Sequence, residues 1–205
     1  MKKVTIIFTL TVLFGLHSAF VSNQPKGYAV GATAIDFKLK NVDEKMVQLA
    51  DYKKAKGFIL IFTCNHCPFS QAYEDRIIAL HKKYEPKGYP VVAINPNDAS
   101  REPEDSYVNM KLRAKEKKFS FAYLYDESQQ IAKTYGATRT PHVFVLQKNK
   151  AGNQVMYIGA IDDNYEDVKQ VKEKYVEQAV DALLAGKTVN QTLTKAIGCG
   201  IKWKK

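Results

Sequence analysis

Phe58-Ile59-Leu60-Ile61-Phe62-Thr63 is an unbroken, β-rich and mainly apolar run, and Cys64-Asn65-His66-Cys67 follows it with no linker. A run without polar alternation suits a strand covered on both faces. After Pro68 the period changes. Phe69, Tyr73, Ile77, Leu80 and Tyr84 recur at steps of three and four until Pro86-Lys87-Gly88 intervenes, which marks a helix with one buried face. Pro90-Val91-Val92-Ala93-Ile94-Asn95 then reads as a second buried strand, at a distance that suits a parallel β-α-β crossover. The chain is therefore expected to be α/β, with two cysteines at the joint between a central strand and a helix.

The remaining elements extend this core. Glu102-Pro103-Glu104 reads as the start of an amphipathic surface helix running through Val108, Leu112 and Ala114 toward Lys118, with Pro and acids in the first turn. Phe121 to Tyr125 reads as a short strand, Glu127 to Tyr135 as a helix ended by Gly136, and Thr140-Pro141 leads into a strand from His142 to Leu146. Turn residues Asn149 to Asn153 separate that strand from Val155 to Gly159, the pattern of an antiparallel hairpin. A last helix is expected over Asp167 to Ala185, with Val168, Val171, Tyr175, Ala179, Ala182 and Leu183 on its apolar face. Upstream, Ile35 to Leu39 alternates like a half-buried strand, with Met46 to Leu49 as its hairpin partner. One domain over 28–188, followed by a C-terminal tail over 189–205, is the expected organisation.

Lys2 and Lys3 precede an apolar run from Val4 to Leu16 and then Ser18, Ala19 and Ser22, the layout of a secretory signal over 1–22. Its cut site stays open, because cleavage after Ala19 or Ser22 leaves His17 or Phe20 where a small residue is preferred. The apolar run is shorter than the about 20 residues a membrane span needs. Export to a periplasm is expected, with secretion, or anchoring by an uncleaved segment, as the alternatives. Asn190-Gln191-Thr192 fits a glycosylation acceptor, but no retention signal of the KDEL type ends the chain, which favours a periplasm over an endoplasmic reticulum. The formal net charge is +10, yet Lys and Arg are interleaved with Asp and Glu through most of the chain. That pattern describes a solvated surface and argues against a nucleic-acid partner.

The three cysteines, Cys64, Cys67 and Cys199, are too few for a disulfide scaffold. Cys64 and Cys67 fall one helical turn apart at a helix start, a spacing that suits reversible disulfide formation. Unpaired N–H groups and the helix dipole are expected to favour a thiolate on Cys64, with His66 adding positive charge. Such a couple is expected between the about −270 mV of reducing thioredoxins and the about −120 mV of strong oxidants. Zinc ligation by the cysteines with His66 or His142 is disfavoured, since no second Cys-x-x-Cys or His pair completes four ligands. No metal and no cofactor are expected. A purely structural disulfide here would close a tiny loop and stabilise little. Cys199, in Gly198-Cys199-Gly200, reads either as a small buried residue or as a thiol that resolves a mixed disulfide.

Strand, Cys-x-x-Cys, helix, and then Tyr135-Gly136-Ala137-Thr138-Arg139-Thr140-Pro141 before a strand together resemble the thioredoxin superfamily over about Val30 to Ala185. The hairpin and the inserted helix around Glu104 to Lys117 resemble its redoxin branch, which includes the alkyl hydroperoxide reductase and thiol-specific antioxidant group. The resemblance implies a mixed central sheet flanked by helices, Cys64 as the attacking thiolate and Cys67 as resolver. It also implies a cis Thr140-Pro141 bond that leaves the Thr140 backbone free to pair with a substrate chain. The implied partners are protein or small-molecule thiols and disulfides and a redox partner protein. The chain departs from thioredoxin in having Thr63 before the first cysteine and Phe58 where a buried Asp is expected. Glu74 and Asp75 read as solvated surface acids, and Arg139 as a surface or helix-end residue. Thiol-disulfide exchange is the leading function. A peroxiredoxin-like peroxidase is the alternative, although Thr63 is one residue too far from Cys67, and a non-enzymatic binding module is the third reading.

Overall fold

The computed structural model describes residues 27–205, so the expected signal segment lies outside the described residues. Ten strands, numbered in chain order, are β1 (Thr33–Ala34), β2 (Lys38–Asn41), β3 (Met46–Gln48), β4 (Gly57–Phe62), β5 (Val91–Asn95), β6 (Ala122–Tyr125), β7 (Arg139–Thr140), β8 (His142–Asn149), β9 (Gly152–Gly159) and β10 (Cys199–Gly200). Four α-helices are α1 (Pro68–Tyr84), α2 (Tyr107–Glu116), α3 (Gln130–Tyr135) and α4 (Tyr175–Leu184). Eight strands form one mixed sheet in the order β1-β9-β8-β4-β5-β6-β2-β3. The pairs β4–β5 and β5–β6 are parallel, whereas β4–β8 and β8–β9 are antiparallel. β7 and β10 form a separate two-stranded ribbon. Among the described residues, no helix is long and apolar enough to cross a membrane.

The alternation of β4 divides the core. Ile59 and Ile61 pack with Tyr73, Ile77 and Leu80 of α1, Met110 of α2, and Val176 and Val180 of α4. Phe58, Leu60 and Phe62 pack on the other face with Ala132 and Tyr135 of α3, with Leu49, and with Ile201 from the chain end. Every residue of β4 and β5 is buried, which is why their sequences carry no alternation.

Four element boundaries shift, each for a local reason. The hairpin strand starts at Lys38 because the Asp36 carboxylate turns back to accept the N–H groups of Phe37, Leu49 and Ala50. The inserted helix begins only at Tyr107, after a 3₁₀ turn at Pro103–Asp105, with Ser106 as its N-cap. That start buries Met110 and Ala114, while Val108 and Leu112 are 66% and 61% exposed. The last helix shortens to 175–184. Asp167 caps a separate 3₁₀ turn at Val168–Gln170, the Lys172 N–H donates to Asp163, and Val168 is left exposed. Helix α3 starts at Gln130 rather than Glu127, because buried Asp126 accepts the Ala132 N–H from the turn before it. The segment 189–205, expected beyond the domain as a tail, runs back over the fold and buries Ala196 and Ile201.

Candidate active site

Strand β4 delivers the chain to Thr63 and the loop 64–66, and Cys67 is the N-cap of α1 with Pro68 at its first position. Proline fits there because that N–H has no helical partner in any case. All three cysteines are free thiols. Cys64 and Cys67 are both buried. Cys64 Sγ lies 3.1 Å from Thr140 Oγ1, 3.6 Å from His66 Nδ1 and 3.8 Å from Ser70 Oγ. The Cys67 thiol donates to the Thr140 carbonyl over 3.2 Å.

The surroundings divide the charge between the sulfurs in a way the sequence reading did not foresee. Burial pushes the Cys64 thiol well above its ordinary pKa, and the hydrogen bond to Cys67 and the nearby Asp105 carboxylate add to the rise. Cys67 is drawn down to about 4, first by its hydrogen bond with Cys64 and then by the Cys199 thiol and the backbone N–H groups of Ser70 and Cys199. Cys67, rather than Cys64, is the N-cap of α1, and its side chain makes no cap hydrogen bond. The Thr140 carbonyl, as the acceptor of the Cys67 thiol proton, works against its loss.

His66 does sit beside Cys64, but it is held by acids. Its Nδ1 proton is directed at Asp105 Oδ2, 2.5 Å away, and its Nε2 lies 3.6 Å from Glu102 Oε2. Asp105 is fully buried and also accepts the N–H groups of Asn65 and His66 and the Asn97 side-chain amide. Asn65 in turn donates to the Glu104 carbonyl and accepts from the Tyr123 hydroxyl. His66 Nδ1 therefore lies closer to the Asp105 carboxylate than to Cys64 Sγ. Asp105 is the main site residue that sequence reasoning missed. Next to Glu102 and Glu104 it reads as one more surface acid, and only the proline-started turn carries it inside.

Thr140-Pro141 is a cis peptide bond. The Thr140 backbone, however, is already paired: Cys199 of β10 stands opposite Thr140, and Gly200 opposite Arg139. The expectation of a free edge for a substrate chain is corrected, since the protein's own C-terminal segment occupies it. Arg139 belongs to the same arrangement and donates to the Gly198 carbonyl over 2.9 Å. Glu74, read as a surface acid, is buried and receives two hydrogen bonds from Arg113, tying α1 to α2, whereas Asp75 is exposed. His142 is buried, and desolvation with help from Arg139 lowers its pKa to about 4.

Ligand atoms of Cys64, His66 and Asp105 lie within 4.8 Å of one another. The direct 2.5 Å bond between His66 and Asp105 is shorter than two metal–ligand distances allow in line, so an ion there would first have to break it.

A family model described as the AhpC/TSA family matches residues 30–153, more than half of the chain. A curated relative from Bacillus cereus, "Thiol-disulfide oxidoreductase ResA", is 25% identical over 189 residues, covering 87% of this chain and 98% of its own length. The solved structure of an uncharacterized conserved protein from Geobacillus kaustophilus is 40% identical with a TM-score of 0.79, over 86% of this chain and 93% of that one. That of a putative thiol:disulfide interchange protein DsbE from Chlorobium tepidum superposes at a TM-score of 0.61 and 22% identity, over 76% and 98% of the two chains. The fold is therefore thioredoxin-like, and with its inserted helix and N-terminal hairpin the chain belongs to the AhpC/TSA family, in the redoxin branch of the thioredoxin superfamily.

Proposed function

We propose that this protein is an exported, periplasmic thiol-disulfide oxidoreductase, exchanging electrons with protein or small-molecule disulfides and with a redox partner protein through Cys64-Asn65-His66-Cys67. One observation carries this reading: Cys64 and Cys67, the second the N-cap of α1, both contact Thr140, the residue before a cis proline. The relatives named thiol-disulfide oxidoreductase add to it.

Cys64 attacks a substrate disulfide as its proton passes to Cys67, forming a mixed disulfide and expelling one substrate thiolate. Cys67, once deprotonated, attacks Cys64 Sγ, releasing the second thiolate and leaving the Cys64–Cys67 disulfide. Two electrons move to the substrate, and the same steps reversed oxidise a dithiol. His66 and its acids hold the loop that carries Cys64, and Thr140 supports both sulfurs. A thiolate favoured on Cys67 stabilises the reduced form, which supports a couple more oxidising than the about −270 mV of thioredoxins.

The test is substrate trapping. A Cys67→Ser protein is expected to hold a Cys64 mixed disulfide with a reporter disulfide, while Cys64→Ser forms none by that route and loses turnover. Absence of thiol-disulfide exchange in the wild type overturns the reading. A thiol peroxidase is the second reading, favoured by the family match and by the Thr140 hydroxyl at Cys64 Sγ. Fast peroxide-driven oxidation that survives Cys67→Ser and disappears in Cys64→Ser would establish it.

A further inference from the structure

We infer that Cys199 is a third redox thiol, and that the oxidised protein passes its disulfide from Cys64–Cys67 to Cys67–Cys199. This rests on the reading of the pair as a thiol-disulfide exchange centre.

The chain end is built into the rim of that centre. The Ile201 N–H donates to the Thr138 carbonyl, the Lys202 N–H to Asn97 Oδ1, and the Lys204 N–H to Gln129 Oε1, while the Asp98 N–H and the Gln129 amide both donate to the Lys202 carbonyl. Ile201 is buried. Together these contacts fix the register that sets Cys199 opposite Thr140, whose carbonyl receives the Cys67 thiol and whose hydroxyl touches Cys64 Sγ. Gly198 is needed for the fit, because a Cβ there would lie 2.2 Å from the Thr140 carbonyl oxygen. A strand that pairs beside the cis proline and brings a sulfur to the dithiol is what a substrate cysteine would supply. Here the protein supplies it from its own end. Cys199 thus pairs with the one residue whose carbonyl receives the Cys67 thiol and whose hydroxyl touches Cys64 Sγ, which sets the third thiol beside the dithiol.

Once substrate reduction has formed the Cys64–Cys67 bond, the Cys199 thiolate attacks Cys67 Sγ. The bond to Cys64 breaks, Cys64 leaves as a thiolate and takes up the proton that Cys199 lost, and the Cys67–Cys199 bond forms. No electrons are exchanged in this step. Its effect is to move the disulfide from the substrate-facing sulfur to one that includes half-buried Cys199. A reducing dithiol attacking there becomes oxidised to its disulfide and restores both thiols. The electron donor and the substrate then use different entrances.

The decisive protein is Cys64→Ser, kept dilute and treated with oxidised glutathione, then alkylated and mapped by non-reducing mass spectrometry. The expected result is loss of two hydrogens and a crosslink between the Cys67 and Cys199 peptides. Two alkylated thiols, glutathione adducts alone, or only intermolecular dimers in a protein whose circular dichroism matches the wild type would overturn the inference. If Cys64→Ser does not fold, wild type oxidised by one equivalent and mapped over time serves instead: a Cys67–Cys199 fraction supports the relay, and Cys64–Cys67 alone defeats it. In that last case the exchange function still stands, whereas a wild type that exchanges with no disulfide removes the function itself.

Discussion

The two sulfurs sit in differently built surroundings. On the Cys64 side, the loop after β5 supplies a closed polar network in which buried Asp105 gathers His66, Asn65 and Asn97. Burial raises the proton affinity of the neighbouring thiol, and the Asp105 charge adds to it. On the Cys67 side stand a helix N-cap, the Thr140 carbonyl that accepts its proton, and a strand brought from the chain end; the neighbouring thiols and the Ser70 and Cys199 N–H groups lower the proton affinity of the second sulfur. Identical side chains three positions apart thus receive opposite treatment. The carboxylate orders one wall, and the chain end orders the other.

The largest effect is expected from removing the charged side altogether. Cys67→Ala should cut turnover on a disulfide substrate by on the order of 10³-fold or more, read from steady-state rates with a dithiol reductant. The same side sets a pH dependence. Because the Cys67 pKa is lowered in the folded, reduced protein, the stability it contributes is present above the unfolded thiol value of about 8.5 and is lost as pH falls toward about 4. Urea unfolding at several pH values should show the reduced protein losing stability relative to the oxidised one over that interval, with Cys67→Ser flattening the difference. An equal pH response from both forms would remove the charge from Cys67.

Breaking the other wall should cost stability. Asp105→Ala leaves several buried donors unpaired and is expected to destabilise by about 3 kcal/mol in urea unfolding. Asp105→Asn keeps part of the network and removes the charge, so the thiol pair should alkylate at lower pH than in the wild type. Gly198→Ala forces the chain end away from the Thr140 carbonyl, at an expected cost of about 1–3 kcal/mol. It should also lower the yield of the Cys67–Cys199 crosslink several-fold. The smallest change marks the baseline: Lys111→Ala removes an exposed ion pair with Glu44 and should leave the urea midpoint and the kinetics unchanged.

Much of this protein is legible in one dimension. The unbroken apolar strands, the period-four face of α1, the Cys-x-x-Cys at their joint and the Thr-Pro before a strand are local patterns, and local sterics and burial produce them wherever the chain is covered on both faces. What the pattern could not supply was phase and partnership. Val108 and Leu112 look like a core face until Ser106 starts the helix and turns them outward. Asp105 looks like a surface acid until the turn buries it. The Thr140 backbone looks available until Cys199, near the far end of the chain, pairs with it. The sequence by itself determined that two sulfurs meet at a strand-to-helix joint, because that is a matter of adjacent residues. Which sulfur carries the charge, and that a third lies beside it, were decided only by the tertiary structure, because hydrogen-bond donors, buried carboxylates and strand partners act over a few ångströms regardless of separation along the chain.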